Sequence, residues 1–188
     1  MATFVDELFS KNNIQAELIE FSTFENCVFD GCYFSGANFS NAKFIDCEFK
    51  SCDLSLVKTN QTALRHVKFF NCKMLGLRFD EMNNMGMAVT FENCNLSHSS
   101  FYVMKLQKSY FKDSLLIEVD FTEADLASVK FENCNMLKAT FVNTILENAD
   151  LRSAYNFSIN PTTNRIKGAR FSSSGLAGLL DIFLLNIE

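Results

Sequence analysis

The chain has 188 residues, 48 % of them hydrophobic, and a formal net charge of −5. That composition supports one domain with a continuous core, and the acidic balance excludes a generic nucleic-acid binder, whose affinity would rest on clustered Lys and Arg. No stretch nears the roughly 18 apolar residues of a membrane span. The opening MATFVDELFSKNN lacks the basic start and apolar run of a secretory leader, so a cytoplasmic protein is expected.

Taken in chain order, residues 1–13 read as an N-terminal cap: TFVDELFS at 3–10 predicts one or two helical turns, with Thr3 as N-cap and Phe4 and Phe9 closing the structure that follows. From 14 to 157 a period of five governs. CVFDG, CYFSG, ANFSN, AKFID, CEFKS and CDLSL run without a gap from Cys27 to Leu56. The centre of each unit is Phe or Leu, and the residue two before it is small. Centres recur from Phe24 to Phe79, broken only at Thr59, and a second run displaced by two goes from Phe91 to Leu151.

Five residues suit neither a helix nor a flat strand, but they suit a short strand plus one corner. The centre and the small residue point inward, their neighbours point outward, and the corner restores the inward phase that an odd count would flip. One Pro and seven Gly serve the whole chain, and Asn and Gly gather at the corners, as at Asn26, Gly31, Asn71 and Asn133. In the second run Phe alternates with Leu or Met, which requires an even number of sides. Two sides leave no interior and six leave a hole, so four are expected, with coils of about 20 residues stacked at about 4.8 Å. Phe29, Phe49, Phe69, Phe91, Phe111 and Phe131 then share one column, and residues 80–90 (DEMNNMGMAVT) bulge by two residues.

Beyond 157 the spacing predicts a C-terminal cap over 158–188. Asn160-Pro161 makes a turn, 169–173 is a last repeat-like unit, and SGLAGLLDIFLLNIE at 174–188 reads as a short helix followed by a terminal strand. The apolar face of that helix is Leu176, Leu179, Leu180 and Phe183.

The tandem pattern small-x-Phe/Leu-x-x, with Asn or Asp before the centre in ANF (37–39), CDL (52–54), CNL (94–96) and ADL (149–151), resembles the pentapeptide-repeat family and its Qnr-like and MfpA-like branch. The resemblance implies a right-handed quadrilateral parallel β-helix, an all-β solenoid. It also implies a non-catalytic interaction protein that binds DNA gyrase or topoisomerase IV through DNA mimicry, protecting them from quinolones in some members. The tail resembles a segment that forms a twofold homodimer contact, which would place Leu176, Leu179, Leu180 and Phe183 at a dimer interface; a monomeric cap is the other reading. The alternative function is a structural scaffold or an effector with a different protein partner.

The side chains themselves offer little chemistry. All seven cysteines fall on the small inward position, and Cys32, Cys52, Cys72, Cys94 and Cys134 share a column interrupted by Ser114. Sulfurs spread along a line do not converge as zinc requires, so they read as buried filler. His66 and His98 both fall on corners. No phosphate loop, HExxH or GxSxG is present, and no catalytic, metal or cofactor residue is expected. Outward charges balance on the long Phe face, Asp30, Glu48, Glu92, Glu132 and Asp150 meeting Lys50, Lys68, Lys112, Lys130 and Arg152. That weakens the case for mimicry, since the excess acid lies on corners and near the N-terminus. Candidate surfaces for a protein partner are an apolar strip, Leu75, Leu115, Ile117 and Leu137, and the bulge with Met82, Met85 and Met87, whose side chains equally suit plugging the column where a centre is missing. Neither a nucleic acid nor a membrane is an expected partner.

Overall fold

The computed structural model describes residues 1–11 and 14–185. Strand register gives the coil length: Phe9 pairs with Phe29, Phe29 with Phe49 and Phe49 with Phe69, all in parallel. Phe69 then pairs with Phe91, across the two extra residues, and the column continues through Phe111 to Phe131. Strands Thr3–Val5, Thr23–Glu25, Lys43–Ile45 and Ala63–Arg65 build a 4-stranded sheet on the first face. A 7-stranded sheet from Leu8–Ser10 to Lys130–Glu132 builds the second. The third and fourth faces hold single parallel bridges at the same interval, such as Tyr33 to Asp53 and Asn38 to Lys58.

What turns the chain is a left-handed residue at nearly every fifth position, with φ of 53° at Asn26, 52° at Asp46 and 51° at Asn133. Most such N–H groups donate to a carbonyl one coil on, as Asn26 does to Ile45 at 2.9 Å and Glu123 to Val142 at 2.8 Å, while Asn133 donates to the Ser153 hydroxyl at 3.1 Å. The region costs a non-Gly residue about 1–2 kcal/mol, least for Asn. Val103 sits there at φ 60°, where its branched Cβ is worst suited. Its side chain is half exposed, so Val103→Asn sacrifices little packing and is expected to raise stability by about 1 kcal/mol; a urea melt of the two forms checks this.

Inside, the second-face rings stack in one file, 4.5 Å apart for Phe29 and Phe49 and 5.1 Å for Phe91 and Phe111. Opposite them Phe79, Phe101, Phe121 and Phe141 form a second file, at 4.2, 5.3 and 5.3 Å. The files meet edge to face, as Phe101 does with Phe111 at 5.9 Å and 84°. Thr59 replaces a ring in the second file and leaves a cavity of about 20 Å³, its hydroxyl donating to the Arg78 carbonyl at 2.6 Å.

Three expectations need correction. Residues 3–10 are two strands, Thr3–Val5 and Leu8–Ser10, with a left-handed corner at Asp6 (φ 57°), and form part of the first coil. So short a helix is marginal in water, whereas pairing with the next coil satisfies the backbone. At the bulge, Met82 is only 8 % exposed and Met87 is buried too; they fill the column where a centre is missing, and Met85 alone stands out, 75 % exposed. Beyond the break at Asn156 the register resumes, with Arg165 bridging Ile145 and Arg170 bridging Asp150. The tail is Ser173–Gly175 (3-10), Ala177–Leu180 (α) and Asp181–Phe183 (3-10). Leu184 turns left-handed at φ 50°, so no strand starts there, and residues 186–188 of the expected terminal strand lie outside the described residues.

Candidate partner surfaces

The third face carries outward residues in two columns. One runs Tyr33, Asp53, Lys73, Asn95, Leu115, Asn135, Tyr155, each bridged to the next; two positions on, Leu75, Ser97, Ile117 and Leu137 make the other. Leu115 and Leu137 are exposed, while Leu75 and Ile117 are half-buried. The apolar strip is thus dense only in its upper coils, where Leu115, Ile117, Leu137 and Tyr155 follow one another.

At its upper end the strip runs into the cap. Gly178 packs on Phe157 so closely that a Cβ would lie 2.2 Å from the Phe157 carbonyl oxygen, and Ile159 N–H donates to the Gly178 carbonyl at 2.8 Å. This docking leaves an open groove of about 610 Å³ between Leu137 and Tyr155 on one side and Ser172, Ala177 and Asp181 on the other. Of the tail residues, Leu179 packs against the core and Leu180 is half-buried, whereas Leu176, Ile182, Phe183 and Leu184 are exposed. The helix therefore divides its apolar residues between cap and surface. The strip and the tail, far apart in sequence, line one groove, and Met85 lies apart from both.

Charge on the second face is compensated. Glu48 meets Lys50 at 2.9 Å and Lys68 at 3.3 Å, Glu92 meets Lys112 at 2.8 Å, and Glu132 pairs with Lys130. Asp150 accepts from Arg152 Nε and Nη2 at 2.9 and 2.7 Å, and these bonds hold its carboxyl down at about 2. A carboxyl depressed below its unfolded value near 3.9 adds stability above about pH 4 that is lost as pH falls to about 2. Asp150→Asn is expected to flatten the acid limb of the stability profile by about 1 kcal/mol, the exposed Arg152 end being screened, read from urea midpoints between pH 2 and 5. His66 and His98 sit on corners with Nδ1 3.3 Å from Asp46 and Glu118.

The cysteine thiols are buried and free. Cys52, Cys72 and Cys94 donate to the carbonyls of Phe29, Phe49 and Phe69, each at 3.4 Å. Burial pushes Cys47 to about 11 and Cys134 to about 12, so both stay protonated. Among the described residues no group of three or more His, Cys, Asp or Glu gathers to hold a metal, and no helix is long and apolar enough to cross a membrane.

A polar residue that the repeat pattern did not mark, Asn164, sits buried on the inward small position above Ala124 and Thr144. Its amide donates to the carbonyls of Phe141 and Asn160 at 3.0 and 2.9 Å and accepts from Thr144 N–H at 2.8 Å. It fastens the last coil, and through it the cap that forms the groove.

These features define a four-sided parallel β-solenoid that offers surface and cleft at its flank and ends. The chain belongs to the pentapeptide repeat family, whose repeat-region model matches residues 22–86 and 84–155. Its fold is similar to that of QnrB1, a plasmid-mediated fluoroquinolone resistance protein: a trypsin-treated variant is 18 % identical with a TM-score of 0.56, covering 100 % of both chains. It is also similar to HetL, a pentapeptide repeat protein involved in heterocyst differentiation regulation from the cyanobacterium Nostoc sp. strain PCC 7120. There the identity is 12 % and the TM-score 0.67, over 90 % of this chain and 84 % of that one. No curated protein matches the chain.

Proposed function

We propose that this chain is a non-catalytic protein-binding solenoid whose partner sits along the upper third face, on Leu115, Ile117, Leu137 and Tyr155 and in the groove beside them. The observation that carries this reading is the continuity of the apolar strip with an open groove, beside a second face whose charges from Glu48 to Arg152 are internally paired. A type II topoisomerase is the first partner to test, because the fold is similar over its whole length to QnrB1. A supercoiling assay with gyrase, with and without a quinolone, is expected to show inhibition or protection at micromolar protein, diminished in Leu137→Asp. Neither effect would leave a scaffold for another protein, a reading favoured by the paired charges of the long Phe face, which offers no acidic surface resembling DNA. The location is proposed to be cytoplasmic.

The exposed tail residues Leu176, Ile182, Phe183 and Leu184 are a second contact, proposed to receive another copy of this chain. Phe183→Asp is the variant to compare with wild type by light scattering, since Leu179→Asp would disturb the cap itself. A wild-type monomer at all concentrations would sink this part of the reading.

A further inference from the structure

The two ends of the solenoid differ in charge in a way the flanks do not. Residues 1–31 carry six carboxylates and one cation, and the remaining residues hold sixteen of each. The whole net charge of the chain thus sits in its first coil and a half. Asp6, Glu7, Glu17, Glu20 and Glu25 make no ion pair among the described residues, whereas Glu48, Asp53 and Glu92 of the middle coils are paired. At the other end Arg165, Lys167 and Arg170 stand on the last described rung of the first and second faces; Arg165 pairs with Glu147, while Lys167 and Arg170 make no ion pair among the described residues. Between residue 151 and residue 185 there are four cations and one carboxylate, Asp181.

The backbone at the two ends is complementary as well. Thr3–Val5 is the outermost strand of the first-face sheet, and among the described residues Arg165 is the last bridged one of the same face. A parallel ladder repeats by translation, so the lower edge of the first rung matches the upper edge of the last. Exposed apolar side chains lie at both ends, Val5, Leu18 and Phe21 at the head and Leu176, Phe183 and Leu184 at the tail.

From this pairing of ends we infer that copies of this chain associate head to tail, the acidic first coil of one seating on the basic last coil and tail of the next. In that arrangement Thr3–Val5 continues the ladder above residues 165–167. Asp6 and Glu7 come beside Lys167 and Arg170, with Glu25 one rung further on. The inference rests on the tail being a contact between copies and adds its orientation: a twofold tail contact would bring two basic ends together, a head-to-tail contact one of each sign. Such a contact is heterologous and does not close, so growth beyond a dimer follows.

Sedimentation velocity of the full chain at low salt, about 50 mM, is expected to show concentration-dependent species larger than a dimer. Association is expected to weaken about tenfold or more at about 500 mM, where exposed pairs are screened. Asp6→Lys with Glu7→Lys, and separately Lys167→Glu with Arg170→Glu, should each be monomeric alone, with unchanged circular dichroism. Mixing the two variants should restore species larger than a dimer with the variants alternating, since the altered head of the first then faces the altered tail of the second and the unaltered tail of the first faces the unaltered head of the second. A closed dimer that survives both reversals and high salt but dissolves in Phe183→Asp would overturn the orientation and keep the tail contact. A monomer under every condition would remove both.

Discussion

Replacing Phe101 with Ala is expected to destabilise the protein by about 4 kcal/mol, the upper part of the range for a buried aromatic truncated to Ala. Phe101 is fully buried. It stacks on Phe79 at 4.2 Å and on Phe121 at 5.3 Å, and meets Phe91 and Phe111 edge to face at 6.3 and 5.9 Å. The rigid neighbouring coils have few ways to collapse into the space, because each is tied to the next through its corner N–H. The same change at Phe9, which has a ring neighbour in only one adjacent coil, is expected to cost roughly half as much. Stability in a stack is a sum over rungs and the contacts between them, so a weak rung in the middle uncouples the two halves. Denaturant unfolding of Phe101→Ala should therefore broaden or split into two steps. A loss below about 1 kcal/mol with a single sharp transition would contradict the claim that the opposed ring files hold the coils together.

Asn164→Ala is expected to cost about 3 kcal/mol, nearly all of it local. The substitution leaves the Thr144 N–H and the Phe141 carbonyl buried without their partners, and unmade bonds in a dry interior cost more than made ones contribute. The last coil and the cap should detach before the rest unfolds, and the groove should open with them. Hydrogen exchange is the measurement: protection is expected to fall over 144–180 and to persist over 24–131. Uniform loss along the chain would mean that the cap is not the separate unit its contacts describe.

The columns were legible because inward positions recur with a bulky residue and a small one at fixed spacing, and the shift at 80–90 could be counted from the centres alone. The first coil was not recognised, although Phe4, Phe9, Ile14, Ile19 and Phe24 keep the same interval. TFVDELFS also suits a short helix, and its corner is Asp6 rather than the Asn or Gly that marks others. Asn164 escaped because a polar residue on a small inward position signals nothing until its partners are known. The groove was beyond reach for a different reason. Leu137 and Asp181 meet across it only because Gly178 docks on Phe157, a tertiary contact with no local pattern. Burial of Met82 and exposure of Met85 likewise depend on which side of the bulge each falls, and their residue type does not distinguish them.

The bulge itself has a consequence for recognition. A rod of near-identical rungs has a degenerate address: a partner that reads one coil could bind the next one equally well, displaced by a single rung. Met85 and Gly86 interrupt that translation once, and only on the first face. They give an otherwise periodic body a unique position and a direction, so a partner that contacts the bulge together with a flank is locked to one placement along the rod.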